Sequence, residues 1–146
     1  MLTRLLYASR SVDPIDETLV QAILDQSREN NLEHGVTGVL CIDPVGGFFL
    51  QVIEGSRAAV NRLYGNIARD PRHSDLVLLF FEEIQERRFS AWRMGTVDLN
   101  KVNLSTILRF SETATLDPYS MSGTAAMSLV EELTNTAAIV LSLIHI

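Results

Sequence analysis

Gln51 stands where an amide is costly. Phe49 and Ile53 flank it at two-residue spacing, so a strand through this stretch puts all three side chains on one face. A carboxamide enclosed by apolar neighbours needs a partner, because its N–H and C=O groups lose their hydrogen bonds to water. Tyr7 is the natural candidate. Residues 2–9 alternate as a strand, with Thr3, Leu5, Tyr7 and Ser9 on one side and Leu2, Arg4, Leu6 and Ala8 on the other. If these two strands are neighbours, phenol and carboxamide can face each other across them. The plainer reading is a tyrosine–glutamine hydrogen bond inside a core, with no further role. Two more amides join the question. Asn30 lies seven positions after Ile23 and Asn31 seven after Leu24, so both extend the inward stripe of a helix carrying Val20, Ile23, Leu24 and Ser27. Here the plainer reading is a helix end, where Asn is common. Together Tyr7, Asn30, Asn31 and Gln51 offer amide donors and acceptors, a phenol and apolar walls. That set suits the binding of a flat heterocycle with carbonyl and N–H edges. It does not suit hydrolysis, because no nucleophile–base pair is evident.

Other chemistry is thinly represented. Arg72 has the chemistry to grip a phosphate, although a loop arginine is commonly just a solvated charge. Trp92 and Met94 are two residues apart and share one strand face, where ordinary core packing is the plainer reading. His34, His73 and His145 have no metal-ligand spacing, and Cys41 has no nearby partner. No phosphate-cradling glycine motif of the P-loop or Rossmann type is present.

These residues need elements to position them. A helix is expected over residues 16–31 and a second strand over 36–42. The turn residues 43–47 then lead into a third strand over 48–54, so the two strands form a hairpin. Ser56 is a plausible N-cap for a second helix with Val60, Leu63, Tyr64 and Ile67 on its apolar face, ended by Asp70-Pro71. A fourth strand is expected over 76–84, apolar on both faces at its start, and a short fifth over 93–97. Two helices follow, near 105–109 and 122–136. The order βαββαβ points to an α+β, ferredoxin-like sheet with both main helices on one face. In that topology the first and third strands are central neighbours. Residues 1–100 would form the binding domain and 101–136 a helical extension. Residues 137–146 are mostly apolar with no polar partner face, and their end matches a translated sequencing adaptor, so an artefactual tail is expected.

The chain has 146 residues, suited to one domain, and a formal net charge of −6 with its twelve Lys and Arg residues scattered. A phosphate-backbone binder would show a basic stripe, so nucleic acid is not an expected partner, nor is an anionic membrane. No segment is long and apolar enough to span a bilayer. A single cysteine allows no internal disulfide, which fits the cytoplasm.

At this point the string resembles the BLUF domain family, flavin-binding sensors of blue light. The resemblance is carried by Arg4-Leu-Leu-Tyr7-Ala-Ser9, Asn30-Asn31, Gly35-Val-Thr-Gly-Val-Leu40 and Phe48-Phe-Leu-Gln51-Val-Ile-Glu-Gly55. It continues in Asp70-Pro-Arg-His73, in Arg88-Phe89 and in Trp92-Arg-Met94. The pieces run in the family's order over about the first hundred residues. The segments Arg109-Phe-Ser and Thr115-Leu-Asp-Pro-Tyr-Ser-Met121 are similar to the link between the C-terminal helices of the short, stand-alone, PixD-like members.

The resemblance implies a photoreceptor holding FAD without a covalent bond, with FMN and riboflavin as alternatives, and no enzymatic activity. It implies that Tyr7 is the light-dependent electron and proton donor and that Gln51 bridges it to the N5/O4 edge of the ring. Asn31 would hold the pyrimidine edge with Asn30 beside it, and Arg72 would lie near the ribityl-phosphate tail. Trp92 and Met94 would report the change to the C-terminal helices. Output would pass to a downstream signalling protein, and a homo-oligomer is expected. Two departures are evident. Asn66 stands where several relatives carry a basic residue, and the turn with Pro44 and two glycines is long. A rival of another class is a ferredoxin-like regulatory module binding a colourless metabolite. An acylphosphatase-like enzyme would need an anion-binding loop near the first strand, and an RNA-binding sheet would need exposed aromatics; the sequence offers neither.

Overall fold

The computed structural model describes residues 1–91 and 94–135, apart from the side chains of Asn30 and Leu32. Its elements are β1 (Leu2–Ser11), α1 (Glu17–His34), β2 (Thr37–Asp43), β3 (Phe48–Ser56), α2 (Arg57–Arg69), β4 (His73–Ile84), β5 (Gly95–Asp98), α3 (Leu104–Leu108) and α4 (Gly123–Thr134). Local chemistry sets the helix limits. The Asp16 side chain accepts from the Leu19 amide at 2.8 Å and starts α1. Gly35 ends it at φ 68°, a left-handed conformation that glycine adopts freely, with its N–H on the Asn31 carbonyl. The Ser56 hydroxyl accepts from the Ala59 amide and caps α2 as expected. Such a cap contributes about 1 kcal/mol.

Five strands form one sheet in the order β4-β1-β3-β2-β5. β1 and β3 are antiparallel central neighbours, β2–β3 is the anticipated antiparallel hairpin, and β5 joins the far edge parallel to β2. The result is the ferredoxin-like α+β sheet read from the order of elements.

The sheet separates two cores. On one face Leu5, Tyr7, Leu40, Ile42, Phe49 and Ile53 pack under α1 and α2, with Leu24 and Val60 reaching down from the helices. On the other, Leu6, Ala8, Val39, Cys41, Leu50 and Val52 pack under α3 and α4, against Ile107, Met127, Leu129, Val130 and Leu133. Gly123 lets α4 lie directly on β4: a Cβ there would stand 1.9 Å from the Leu79 carbonyl oxygen.

Two elements differ from their sequence-based limits. β4 begins at His73 rather than residue 76, and its apolar run is not doubly buried. Among the described residues the strand pairs only with β1, and Val77, Leu78 and Phe81 are 40%, 47% and 49% exposed. Its ladder is also irregular opposite Leu6/Tyr7 and Ala8/Arg10, and Asp75 in the second irregularity has φ 51°. β5 occupies Gly95–Asp98 instead of residues 93–97, because its ladder runs from Val39↔Gly95 to Ile42↔Asp98. Met94 therefore immediately precedes the strand. The expected tail, residues 137–146, lies outside the described residues.

Among the described residues, no helix is long and apolar enough to cross a membrane. None of their His, Cys, Asp and Glu side chains gather into a group of three or more that could hold a metal ion.

Candidate functional site

The β1–β3 register places Tyr7 directly opposite Gln51. The Tyr7 hydroxyl donates to Gln51 Oε1, and Gln51 Nε2 donates to Met94 Sδ at 3.3 Å. All three side chains are buried, Gln51 at 5% exposure. The amide thus has a strong partner at its oxygen and a weak one at its nitrogen, since a thioether sulfur is a poor acceptor. Burial raises the pKa of the Tyr7 phenol well above its ordinary value, and the nearby Asp70 and Tyr64 push the same way. The phenol is a neutral donor at physiological pH. Its ring is held by Tyr64, tilted at 6.0 Å between centroids, and by the edge of His73 at 6.4 Å.

Above this pair, between the sheet and helices α1 and α2, lies a cavity of about 200 Å³. Ile23, Leu40, Phe49, Leu63 and Ile67 give it apolar walls, and Tyr7, Asn31 and Gln51 add polar groups. A second recess of about 130 Å³ shares Asn31, Leu63 and Asn66 with it and extends past His34 and Arg62. Asn31 serves twice. Its backbone carbonyl ends α1 by accepting from Gly35 and from Val36 at 2.9 Å, as the helix-end reading anticipates, while its buried side chain lines both recesses. Asn30 is on the same last turn, but its side chain lies outside the described residues, as does all of Trp92.

Arg72 lines the cavity with its charge already answered. Asp70 accepts from its Nε at 3.0 Å and its Nη2 at 2.6 Å, and Gln26 Oε1 accepts from Nη2 at 2.8 Å. That hydrogen bonding holds the Asp70 carboxyl below the usual carboxylate range. A phosphate near Arg72 meets a neutral pair rather than a free cation. Arg69, one turn from Asn66, donates to the Asn66 side chain at 2.6 Å.

Sequence reasoning brought Tyr7, Asn31, Gln51, Arg72 and Met94 to this region, and it missed the frame around them. His73 Nε2 donates to the Ile67 carbonyl, and Nδ1 lies 2.8 Å from the Ser9 hydroxyl. Ser9 shares the Tyr7 face of β1, and that alternation was the available signal. Gln26 carried none, because its contact with Arg72 spans 46 residues; Asp70 pairs with Arg72 only two residues on, inside the quoted Asp70-Pro-Arg-His73 motif.

The lining fits a flavin. A flat ring entering between the helices would meet aliphatic walls, with carboxamides at Gln51 and Asn31. Each offers both a donor and an acceptor to an edge that alternates carbonyl oxygen, N–H and ring nitrogen.

Comparison with known proteins agrees. A profile of the family described as sensors of blue light using FAD matches residues 2–95. The photoactivated adenylate cyclase subunit beta of Euglena longa is 37% identical over 90 residues, which cover 62% of this chain and 10% of that protein. The blue light- and temperature-regulated antirepressor BluF of Escherichia coli K12 is 32% identical over 99 residues, 68% of this chain and 24% of the relative. The chain therefore spans only a small part of these curated relatives. Among solved structures, the photo-activated state of BlsA superposes with a TM-score of 0.81 at 28% identity, covering 97% of this chain and all of that one. By its sequence, its sheet and the cavity on that sheet, the chain belongs to the BLUF family of blue-light sensors that use FAD.

Proposed function

We propose that this chain is a blue-light photoreceptor in which Tyr7 and Gln51 form the switch. The observation that carries the proposal is the Gln51 amide, suspended between the Tyr7 hydroxyl and the Met94 sulfur at the side of the cavity. Asn31, with Asn30 beside it, would hold the pyrimidine edge of the ring, and Arg72 would lie toward the tail. When bound, the flavin supplies a light-generated oxidant. Every other step belongs to the chain.

Tyr7 is positioned to release an electron from its ring and a proton from its hydroxyl, the proton leaving along the hydrogen bond to Gln51 Oε1. Both return to the phenol, so no net chemistry remains. What changes is the amide, which settles rotated or tautomerised. In the rotated form Nε2 faces the Tyr7 oxygen and Oε1 turns toward Met94. That form exchanges the Tyr7 O–H bond to Oε1 for an Nε2–H bond to the Tyr7 oxygen, gives up the weak Nε2–sulfur bond and leaves Oε1 without a donor among these three side chains, a cost of about 1–3 kcal/mol. Two states separated by a few kcal/mol can be interconverted by a small input and relax thermally.

Met94 and Trp92 would relay the change to the C-terminal helices, and output would pass through a protein partner. The name of the Escherichia coli relative, an antirepressor, supports such an output. The reading further assigns residues 1–100 to flavin binding and 101–136 to output, in a cytoplasmic homo-oligomer with no catalytic activity of its own.

The test is an absorption spectrum before blue light, after it and during dark recovery. A yellow protein with a reversible shift to longer wavelength is expected. A colourless preparation would favour the metabolite-binding rival, and a flavin spectrum indifferent to light would remove the switch. Gln51→Leu should keep flavin and lose the normal shift; an unchanged shift would clear the amide of its role.

A further inference from the structure

The least conventional group in the protein is Glu54, a carboxylate buried to 0% exposure on the face of the sheet away from the cavity. It lies three residues beyond Gln51 on β3, so the two side chains leave the strand on opposite sides. Its Oε2 accepts from Arg4 Nε at 2.9 Å and from the Arg88 amide at 3.1 Å, and its Oε1 accepts from the Phe89 amide at 2.7 Å. Arg4 is buried too, and it also reaches Glu82.

A buried ion pair of this kind is commonly no more stabilising than apolar residues of the same size. What it does supply here is position. Three consecutive residues are tied to three different places. Arg87 donates to the Gly35 carbonyl at 2.6 Å and to Thr37 Oγ1 at 3.0 Å, at the α1–β2 junction. Arg88 has its amide on Glu54 and its guanidinium paired with Glu131 of α4. Phe89 has its amide on Glu54 and its ring in the core that α4 covers. Five residues after Phe89 the chain reaches Met94, whose sulfur receives the Gln51 amide.

We propose that Glu54 is a positioning residue of the switch, which anchors residues 88 and 89 so that Met94 is held at Gln51 and its displacement is passed to α4 through Arg88 and Glu131. The proposal rests on the Tyr7–Gln51 reading above. The carboxylate thus connects the cavity face to the helical face without itself lying near the cavity.

The test uses the flavin-loaded protein with two variants. Glu54→Gln is isosteric and keeps one acceptor, while its NH2 group opposes an amide N–H. Arg4→Met/Glu54→Leu replaces the buried pair with apolar side chains. One measurement is made in darkness: the 13C-methyl resonance of Met94 together with hydrogen exchange at the Arg88 and Phe89 amides. The other is the rate of dark recovery after blue light.

In Glu54→Gln the carboxamide oxygen should keep the Oε2 place facing Arg4 and the Arg88 amide, so the Phe89 amide should exchange roughly tenfold faster or more with Arg88 still protected; in the double variant both should exchange faster. In both variants the Met94 resonance should move and dark recovery should change by about threefold or more. Unchanged Met94 resonance and recovery in a cooperatively folded double variant would overturn the proposal, as would altered recovery with an unmoved Met94 signal. If the double variant fails to fold, Glu54→Gln decides by the same criteria. A wild type without a photocycle would defeat the switch reading alone, because the dark Met94 and exchange measurements still test whether Glu54 places Met94.

Discussion

One sheet carries two unlike interiors. Under α4, side chains such as Leu6, Leu50, Val52, Leu129 and Val130 are sealed completely. Arg4 and Glu54, both almost fully buried on that face, answer each other. Under α1 and α2 the same strands present a phenol and a carboxamide, Met94 just before β5 adds a thioether, and the helices stand far enough off to leave a cavity of about 200 Å³. Close packing gives stability at about 25 cal/mol for each Å² of apolar surface buried. A cavity forgoes part of that gain and leaves room for a ligand to supply it. The difference teaches that the helical face can hold the fold while the cavity face stays free to rearrange one amide.

Tyr7→Phe should break the cavity face most completely. The variant should bind flavin and show no reversible red shift in an illuminated-minus-dark spectrum; a normal photocycle would transfer the donor role elsewhere. Leu129→Ala attacks the other face. It should lower stability by about 2–5 kcal/mol in urea unfolding and leave the flavin spectrum unmoved. Leu63→Ala, at the half-buried wall of the cavity, should cost less, about 1–2 kcal/mol, and should loosen flavin retention.

Alkali sharpens the comparison further. Burial holds the Tyr7 pKa above its unfolded value near 10. Above that pH the unfolded chain gives up a proton that the folded chain keeps, so stability falls as pH rises, by up to about 1.4 kcal/mol per pH unit for this group. Below pH 10 the group contributes no slope. The steeper alkaline loss of wild type relative to Tyr7→Phe isolates it, because Tyr64 and Tyr119 remain in both proteins. The smallest effect is expected from Asp70→Asn, which frees Arg72 at a partly exposed site. Stability should drop by no more than about 1 kcal/mol, while FMN and FAD gain affinity relative to riboflavin in titrations.

The central pair was legible because period-2 alternation makes a polar residue on an apolar face conspicuous, and the order of elements made β1 and β3 neighbours. Ser56, Asp16 and Gly35 were legible for local reasons of capping chemistry and turn geometry. The exposed run on β4 misled, because an edge strand and a doubly buried strand share the same apolar string. Glu54 and Arg4 drew no notice for the opposite reason. Both lie within the quoted motifs, but a charged residue on a strand carries no mark of its partner until the fold brings the two together across 50 residues of chain. The placement of α4 on the second face was equally silent, since an amphipathic helix declares that it has a buried side and not which surface buries it.

Cys41 shares that sealed interior. It sits on the β2 face turned away from Tyr7 and Gln51, fully enclosed, and enclosure pushes its thiol pKa up to about 12. A sulfhydryl in that condition has almost no thiolate with which to intercept an excited dye or a labelling reagent. The lone cysteine is therefore a built-in latch indicator. In the folded protein it should stay silent to maleimide or disulfide reagents, and it should react when the strands beneath α4 come apart.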